Sequence, residues 1–209
     1  MQRDQDLSEA ASAVAAAYKT TLLHRCATAE AACDLVIGGP SNAAELADEV
    51  CGAIGTAAST TEAIEGRALW NLLWLAADLT TSVDLYRAEA LLGEVAQLFE
   101  RRFARTLDGA RTVELDAAEM AFDFFFNRAD QPLQLLRLDR CLSTMERLLR
   151  LPNRHCQHAA LHGLGHLRQQ VAGHARLHLI ETAIDSFLAR NVDERLREFA
   201  QLARRGAIA

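Results

Sequence analysis

The sequence predicts an all-α protein in which helix pairs are stacked one after another. Apolar side chains recur at the spacing of one helix face, and no segment alternates convincingly with the period of a strand. Alanine and leucine are abundant and the chain contains only three prolines, a composition that favours helix. Matching segments in the second half of the chain are separated by 39 residues. We therefore expect one all-helical domain over residues 1–209.

The predicted helices fall into three regions that differ in regularity. N-terminal helices occupy 1–37, and the sequence GGPS separates them from irregular helical pairs over 42–107. Regular repeats of period 39 follow over 115–206. Beyond the GGPS break, we expect helices at about 42–54, 60–78, 83–107, 115–128, 133–150, 153–172, 175–190 and 193–205.

Residues that start and stop helices support these boundaries. Ser41 and Ser82 precede apolar-periodic segments, so their hydroxyl oxygens are expected to cap helix N-termini. Gly173 and Gly206 lie where helices should end, because glycine readily adopts the left-handed conformation that closes a helix.

The internal repeat places three segments in one register. Shifting the segment that begins at Asp116 by 39 residues superposes it on the segment from His155, and a second shift reaches Glu194. A single helix pair cannot bury its apolar stripe alone, so repeated pairs must stack. The apolar matches are Ala121 with Ala160 and Phe199, Phe122 with Leu161 and Ala200, Phe125 with Leu164 and Ala203, and, on the partner helix, Leu138 with Leu177, Cys141 with Ile180 and Met145 with Ile184.

The segment PNRHCQHAALHGLGHL, residues 152–167, resembles the second half of a HEAT repeat. In that family a proline-led turn precedes a helix with the pattern A-A-L-x-x-L-G, and the repeat length is near 40 residues. The resemblance implies a right-handed α-solenoid, an armadillo-like stack of antiparallel helix pairs. It also implies a role in protein binding or scaffolding, although fold alone does not assign function.

Charge is unevenly distributed along a chain with a net charge of −6. Residues 1–130 carry 10 basic and 21 acidic side chains, whereas residues 131–209 carry 12 basic and 7 acidic ones. The basic half can indicate an anionic partner, but attraction between the two halves explains it as well. Nucleic acid is an unlikely partner, because the chain is acidic overall and lacks a concentrated basic patch.

Cysteine content and hydropathy predict a cytoplasmic protein without a membrane segment. The five cysteines form no CxxC pair and fit no zinc module, which favours free thiols in a reducing compartment. The N-terminus lacks a secretory core, and the most apolar run, 68–79, is too short to span a bilayer. Only one of the 22 basic residues is lysine, a bias typical of GC-rich bacterial genomes.

A row of histidines is the most distinctive feature of the repeat region. His155, His158, His162 and His166 fall within about 80° of one another on a helix, away from the apolar row. Histidines at i and i+4 can chelate a divalent cation, so the metal candidates are His158, His162 and His166. The motif HExxH is absent and no cofactor is required. A solvated or partner-facing polar face is the leading interpretation, and a metal site is the alternative.

The repeat register extends this row into a predicted binding face. Helices side by side in a stack lie roughly 10 Å apart, so equivalent positions should form one polar strip. We expect Asp123 to approach His162 and to raise its pKa. The face comprises Asp116, Glu119, Asp123 and Asn127 on the preceding helix, His155, His158, His162 and His166 on the central one, and Glu194, Arg197, Gln201 and Arg205 on the following one.

No sequence motif identifies a reaction, so no catalytic residue is predicted. The chain contains no nucleophile elbow, phosphate-binding loop or dinucleotide fingerprint. The leading prediction is a non-enzymatic interaction module, such as a bacterial adaptor, regulator or immunity-type protein, that binds another protein through the histidine-rich face. One alternative is a metal-binding protein or metalloenzyme that uses the face His155–His166. A second is a HEAT-like nucleic-acid-binding protein.

Overall fold

A computed structural model describes residues 43–60, 64, 66–107, 113–126, 135–190 and 193–208, and these residues form eight helices and no strand. The predicted all-α class is thereby confirmed for this part of the chain. None of these helices is long and apolar enough to span a bilayer. The helices are α1 (Ala43–Ser59), α2 (Gly66–Ser82), α3 (Leu85–Leu98), α4 (Val113–Phe126), α5 (Leu135–Leu148), α6 (Arg154–Gln170), α7 (Leu177–Leu188) and α8 (Glu194–Arg205).

Each helix predicted after the GGPS break is present, with boundaries that shift by a few residues. The N-terminal helices over 1–37 and the Ser41 cap lie outside the described residues. The predicted Ser82 cap is wrong, because Ser82 is the last residue of α2. Asp84 caps α3 instead, and its Oδ1 accepts a hydrogen bond of 3.0 Å from the backbone N–H of Arg87. Aspartate is an equally effective N-cap, so the start of the helix moves by two residues.

The helix α3 continues through a π-helical turn over Phe99–Phe103 and a short α-helical end over Ala104–Thr106. Phe99 and Phe103 are both fully buried, and their rings meet edge to face at 5.0 Å between centroids. Arg102 is also buried, and its Nε lies 2.8 Å from Glu114 Oε1. The π-helical turn therefore places Phe99 and Phe103 in the core and also buries Arg102 beside Glu114.

Several helices pack with their second neighbour in the chain, and most of them also pack with the next helix. Among the described elements, α2 contacts α4, α4 contacts α6, and α6 contacts α8. On the other side, α1 contacts α3 and α3 contacts α5. The even-numbered helices thus form one row, which we call the even row, and α1, α3, α5 and α7 are called the odd row.

Burial follows the predicted repeat register. Ala121 and Ala160 are both fully buried, and so are Met145 and Ile184 on the partner helices. Two positions depart from the register. Phe199 is half-buried and packs against the core from α8 where the two other repeats carry alanine, and Leu177 is half-buried where its match Leu138 is buried. The remaining buried matches are Phe122, Leu161 and Ala200, then Phe125, Leu164 and Ala203, and finally Cys141 and Ile180.

Gly163 allows α6 to approach its neighbours closely. A Cβ at this position would lie 2.8 Å from Met145 Sδ and 2.9 Å from Phe122 Cβ, which is closer than carbon atoms pack. Glycine here therefore lets α6 seat against both α4 and α5. The glycine at this position of the A-A-L-x-x-L-G-like segment is therefore required by the close packing of α6 against α4 and α5.

The predicted stop at Gly206 is confirmed. Gly206 adopts a left-handed conformation with φ of 67°, and its N–H bonds back to Ala203 O as a helix C-cap. The side chain of Gln169 then donates hydrogen bonds to the carbonyls of Gly206 and Ile208, at 3.0 and 2.8 Å. The end of the described chain is fixed against α6 in this way.

The described cysteines are free thiols, as the sequence predicts for a chain without a zinc module. Cys51, Cys141 and Cys156 form no disulfide, and the last two are buried. Burial raises the pKa of the Cys141 thiol to about 12. This cysteine therefore behaves as a small apolar core residue.

Candidate metal centre between two helices

The cap of α6 sets the rotational position of the histidine row. Asn153 is buried, and its Oδ1 accepts hydrogen bonds from the backbone N–H groups of His155 and Cys156, at 3.0 and 3.1 Å. Cys156 turns into the core, where it is fully buried. The histidines on the opposite side of the helix consequently lie between α4 and α8.

Carboxylates of α4 meet two of the four histidines. His155 Nδ1 lies 2.9 Å from Glu119 Oε1, and His166 Nε2 lies 2.9 Å from Asp123 Oδ1. The other ring nitrogen of His155 accepts a hydrogen bond from Arg154 at 3.2 Å. Both nitrogens of His155 are therefore paired, and this residue is not free to bind a metal.

The histidine face is less accessible than the sequence predicts. Only 6% of His162 and 3% of His166 is exposed, so the expectation that these rings face solvent or a partner is wrong. Their position explains the difference, because α6 has a helix of the even row on each side. Phe199 of α8 adds a large cover, with its ring 4.0 Å from the His158 ring and 6.2 Å from the His162 ring.

Three side chains from α4 and α6 form a group with metal-ligand geometry. Asp123, His162 and His166 each offer one ligand atom, and these atoms lie within 4.8 Å of one another. Ligand atoms that share one ion at about 2.0–2.2 Å are roughly 3–3.5 Å apart, so small side-chain rotations close the set. The sequence-based metal candidates were His158, His162 and His166, and the structure replaces His158 by Asp123.

Unsatisfied ring nitrogens mark the same place. The Nε2 atoms of His162 and His166 are buried and have no hydrogen-bond partner. His166 Nε2 nevertheless lies 2.9 Å from Asp123 Oδ1, which is an ion-pair distance, so the nitrogen with no polar contact is His162 Nε2. A buried polar atom without a partner costs about 1–3 kcal/mol, so His162 Nε2 calls for an explanation.

The lowered pKa of His162 favours the neutral imidazole, which is the form that binds a metal ion. Burial lowers its pKa, and the neighbouring His166 lowers it further, whereas Asp123 has a smaller opposing effect. The predicted rise in this pKa is therefore wrong, because desolvation outweighs the carboxylate and because Asp123 contacts His166 more closely. A histidine with a lowered pKa is neutral at pH 7, which is the form that binds metals.

A hydrogen bond orients the His162 ring. His162 Nδ1 lies 3.4 Å from the backbone carbonyl oxygen of Glu119, and a carbonyl can only accept a hydrogen bond. Nδ1 therefore carries the proton and Nε2 holds the free lone pair. Metal-binding histidines in proteins are typically oriented by this kind of contact.

The described remainder of the predicted binding face is exposed or half-buried. Asp116, Gln201 and Arg205 are exposed, and Arg197 pairs with Glu194 on its own helix at 3.7 Å. Asn127 lies outside the described residues. The predicted continuous strip thus divides into a buried centre and an exposed polar rim.

Comparison of the chain with protein-family models, curated proteins and solved structures finds no significant match. The proposals below therefore rest on the chemistry and geometry of the chain itself.

Proposed function

We propose that this chain is a metal-binding helical protein in which Asp123, His162 and His166 hold one divalent transition-metal ion between α4 and α6. The convergence of two buried imidazole nitrogens and one carboxylate carries the proposal, because His162 Nε2 has no hydrogen-bond partner and His166 Nε2 already lies 2.9 Å from Asp123 Oδ1. A metal ion would satisfy both nitrogens and would neutralise the charge of the half-buried Asp123. The unpaired nitrogen of His162 would then cease to be a cost to folding.

The donor set defines the class of metal. Two imidazoles and one carboxylate suit Zn²⁺, Fe²⁺, Co²⁺, Ni²⁺ or Mn²⁺, whereas Ca²⁺ and Mg²⁺ prefer sites made of oxygen atoms. Three protein ligands with two histidines one helical turn apart are typical of sites that keep a position for another ligand. The Irving–Williams order predicts that Zn²⁺ and Co²⁺ bind more tightly than Mn²⁺.

Titration of the untagged, EDTA-stripped full chain with Co²⁺ and Zn²⁺ tests the proposal. We expect saturation at one equivalent, measured by calorimetry and by elemental analysis after gel filtration. Bound metal should also raise the melting temperature, because a ligand at about 100 times its dissociation constant stabilises the native state by about 2.7 kcal/mol.

Paired variants make this test specific. Replacing both His162 and His166 by alanine should abolish stoichiometric binding. The matched control replaces His174 and His178, a second i, i+4 pair that is exposed near the start of α7, and should bind as the wild type does. Absence of saturable binding by the wild type, or equal loss in both double variants, would contradict the proposal.

The packing order supports the finer architecture that the sequence predicts. In an α-solenoid each helix contacts its partner and the equivalent helix of the next repeat, and the successive contacts of α2, α4, α6 and α8 are of the second kind. We propose that the chain is a right-handed, HEAT-like solenoid that works in the bacterial cytoplasm. An experimental structure whose helix pairs superpose by one repeated right-handed rotation would support this architecture, and a closed bundle would contradict it.

The exposed rim favours protein binding as a second function. Asp116, Gln201 and Arg205 are exposed on the helices to either side of α6, and Gln201 and Arg205 lie one turn apart on α8. We propose that a partner protein docks on this rim rather than on the buried histidines. A pull-down from the native host, compared with a variant in which Arg197, Gln201 and Arg205 are alanine, tests it. A partner retained equally by both would remove the rim from consideration.

A further inference from the structure

We propose that the metal centre keeps one coordination position for a small exogenous anion and that His158 is the protein group that contacts this anion. The inference rests on the metal function proposed above, and it names the ligand class of that site.

The number of protein ligands leaves room for an outside ligand. Among the described residues, the group with metal-ligand spacing contains Asp123, His162 and His166 and no fourth side chain. Divalent transition metals take four or more ligands in proteins. At least one ligand must therefore come from outside these three side chains.

His158 supplies a third buried nitrogen without a partner. Its Nδ1 is buried and makes no hydrogen bond, as is true of the Nε2 atoms of His162 and His166. The ring centroids of His162 and His166 are 4.8 Å apart, whereas the ring centroids of His158 and His162 are 6.4 Å apart. His158 therefore stands farther from the metal group than a shared ion requires. A ligand of one to three atoms bound to the metal fits that separation and gives Nδ1 a partner.

Phe199 holds His158 in this position. The two rings stack at 4.0 Å with an angle of 25° between their planes. Phe199 also meets the His162 ring nearly edge to face, at 6.2 Å and 85°. The aromatic ring therefore restricts rotation of the His158 ring, and it adds an apolar surface beside His158 and His162.

The charges around the centre select an anion. A divalent ion with one carboxylate and two neutral imidazoles has a net charge of about +1, which favours a monoanion in a site of low dielectric. The nearby carboxylate of Glu119 contacts His155 at 2.9 Å and is not one of the three ligand side chains. The side chain of Asp123 is 20% exposed and connects the centre with solvent. A small monoanion is thus the ligand that fits the charge of the centre.

Azide titration of the Co²⁺-loaded full chain tests the inference. Co²⁺ replaces the metal and reports its ligands through its visible absorption bands, and azide is the probe anion. We expect a saturable spectral change with one azide per Co²⁺. In His158→Ala we expect Co²⁺ affinity within about threefold of the wild type and azide affinity at least about tenfold weaker, as loss of a hydrogen bond to a charged group predicts.

The possible outcomes separate this inference from the metal function. If Co²⁺ fails to bind, the metal function itself is wrong. If Co²⁺ binds at one equivalent and azide leaves the spectrum unchanged, the metal function stands and the open position is refuted. If His158→Ala loses Co²⁺ as fully as His162→Ala, then His158 is a metal ligand and the inference is also refuted. His158→Asn, which keeps a hydrogen-bonding group, should recover part of the azide affinity and controls for altered folding.

Discussion

The odd and even rows of helices differ in the basic residue that contacts a carboxylate of the neighbouring helix. In the odd row this residue is arginine on α5, which reaches a carboxylate of α3 or its continuation. Arg140 contacts Glu89 at 3.0 Å, and Arg147 contacts Glu100 at 2.8 Å. These side chains are between 31% and 62% exposed. In the even row, histidine takes the place of arginine, and His166 meets Asp123 with only 4% of the imidazole side chain exposed.

Burial gives these two similar arrangements different consequences. Exposed ion pairs of arginine are screened by water and contribute about 0–1 kcal/mol, so the odd row depends on its apolar packing. A neutral imidazole offers a lone pair to a metal, which an arginine side chain cannot do. The odd-row ion pairs are therefore accessory to apolar packing, whereas the even-row contact belongs to the proposed metal site.

The largest expected effect comes from removing the aromatic core of the even row. The ring of Phe122 stacks on Phe99 at 5.3 Å and on Phe126 at 5.9 Å. Phe122→Ala should lower the free energy of unfolding by about 3–5 kcal/mol, measured by urea denaturation. Tyr86→Ala is the matched control, because Tyr86 is 80% exposed, and its effect should stay within about 0.5 kcal/mol. Similar losses in both variants would contradict this account of the core.

Acid should destabilise the metal-free protein through the even row. Burial lowers the pKa values of His158 and His162 in the folded state, so the unfolded chain binds protons first as the pH falls. Stability is then complete above about pH 6.5, the usual pKa of histidine, and it is lost as the pH drops through the lower folded-state values. Urea denaturation in EDTA from pH 7.5 to 5 should show this decline.

A variant decides whether the site is the source of that decline. His162→Gln should flatten the dependence of stability on pH, whereas His174→Gln, at an exposed position, should leave it unchanged. An equal slope in the wild type and in His162→Gln would show that other groups cause the decline.

The smallest change in the free energy of unfolding is expected when an exposed ion pair of the odd row is removed. Arg147→Ala should lower the free energy of unfolding by less than about 1 kcal/mol, because the pair with Glu100 is exposed. The difference from the wild type should shrink further in about 1 M salt, which screens exposed charges. A loss above about 2 kcal/mol that is insensitive to salt would remove the contrast between the two rows.

Periodicity was sufficient to predict the helices and their buried faces. Ala160 and Leu161 were assigned to the core because they match Ala121 and Phe122 one repeat earlier, and all four are fully buried. Side chains at one register position share a helix face whatever their neighbours are, so this inference needs no tertiary contact. The turn over Phe99–Phe103 was not predicted, because that segment contains neither glycine nor proline.

The site could be predicted only in part, because its geometry depends on contacts between helices. The histidines were found from their spacing on one helix. Their burial depends on the neighbouring helices, and Phe199, which replaces the alanine of the other repeats, contacts the rings of His158 and His162. Asp123 was placed beside His162 by register, yet it contacts His166, one turn further along. Register gives the level of a residue on its helix, but it does not give the axial offset between neighbouring helices.

The π-helical turn of α3 gives that helix a tolerance for a change in length. Such a turn accommodates one extra residue locally, while the helix on either side keeps its face toward the core. Removing one residue there, such as the exposed Arg101, should convert the turn into regular α-helix without rotating the segments beside it. Removing a residue from the middle of α3 would rotate one half of the helix by about 100° and expose its apolar side chains. The molecule thus contains a defined position at which the deletion of one residue can be absorbed.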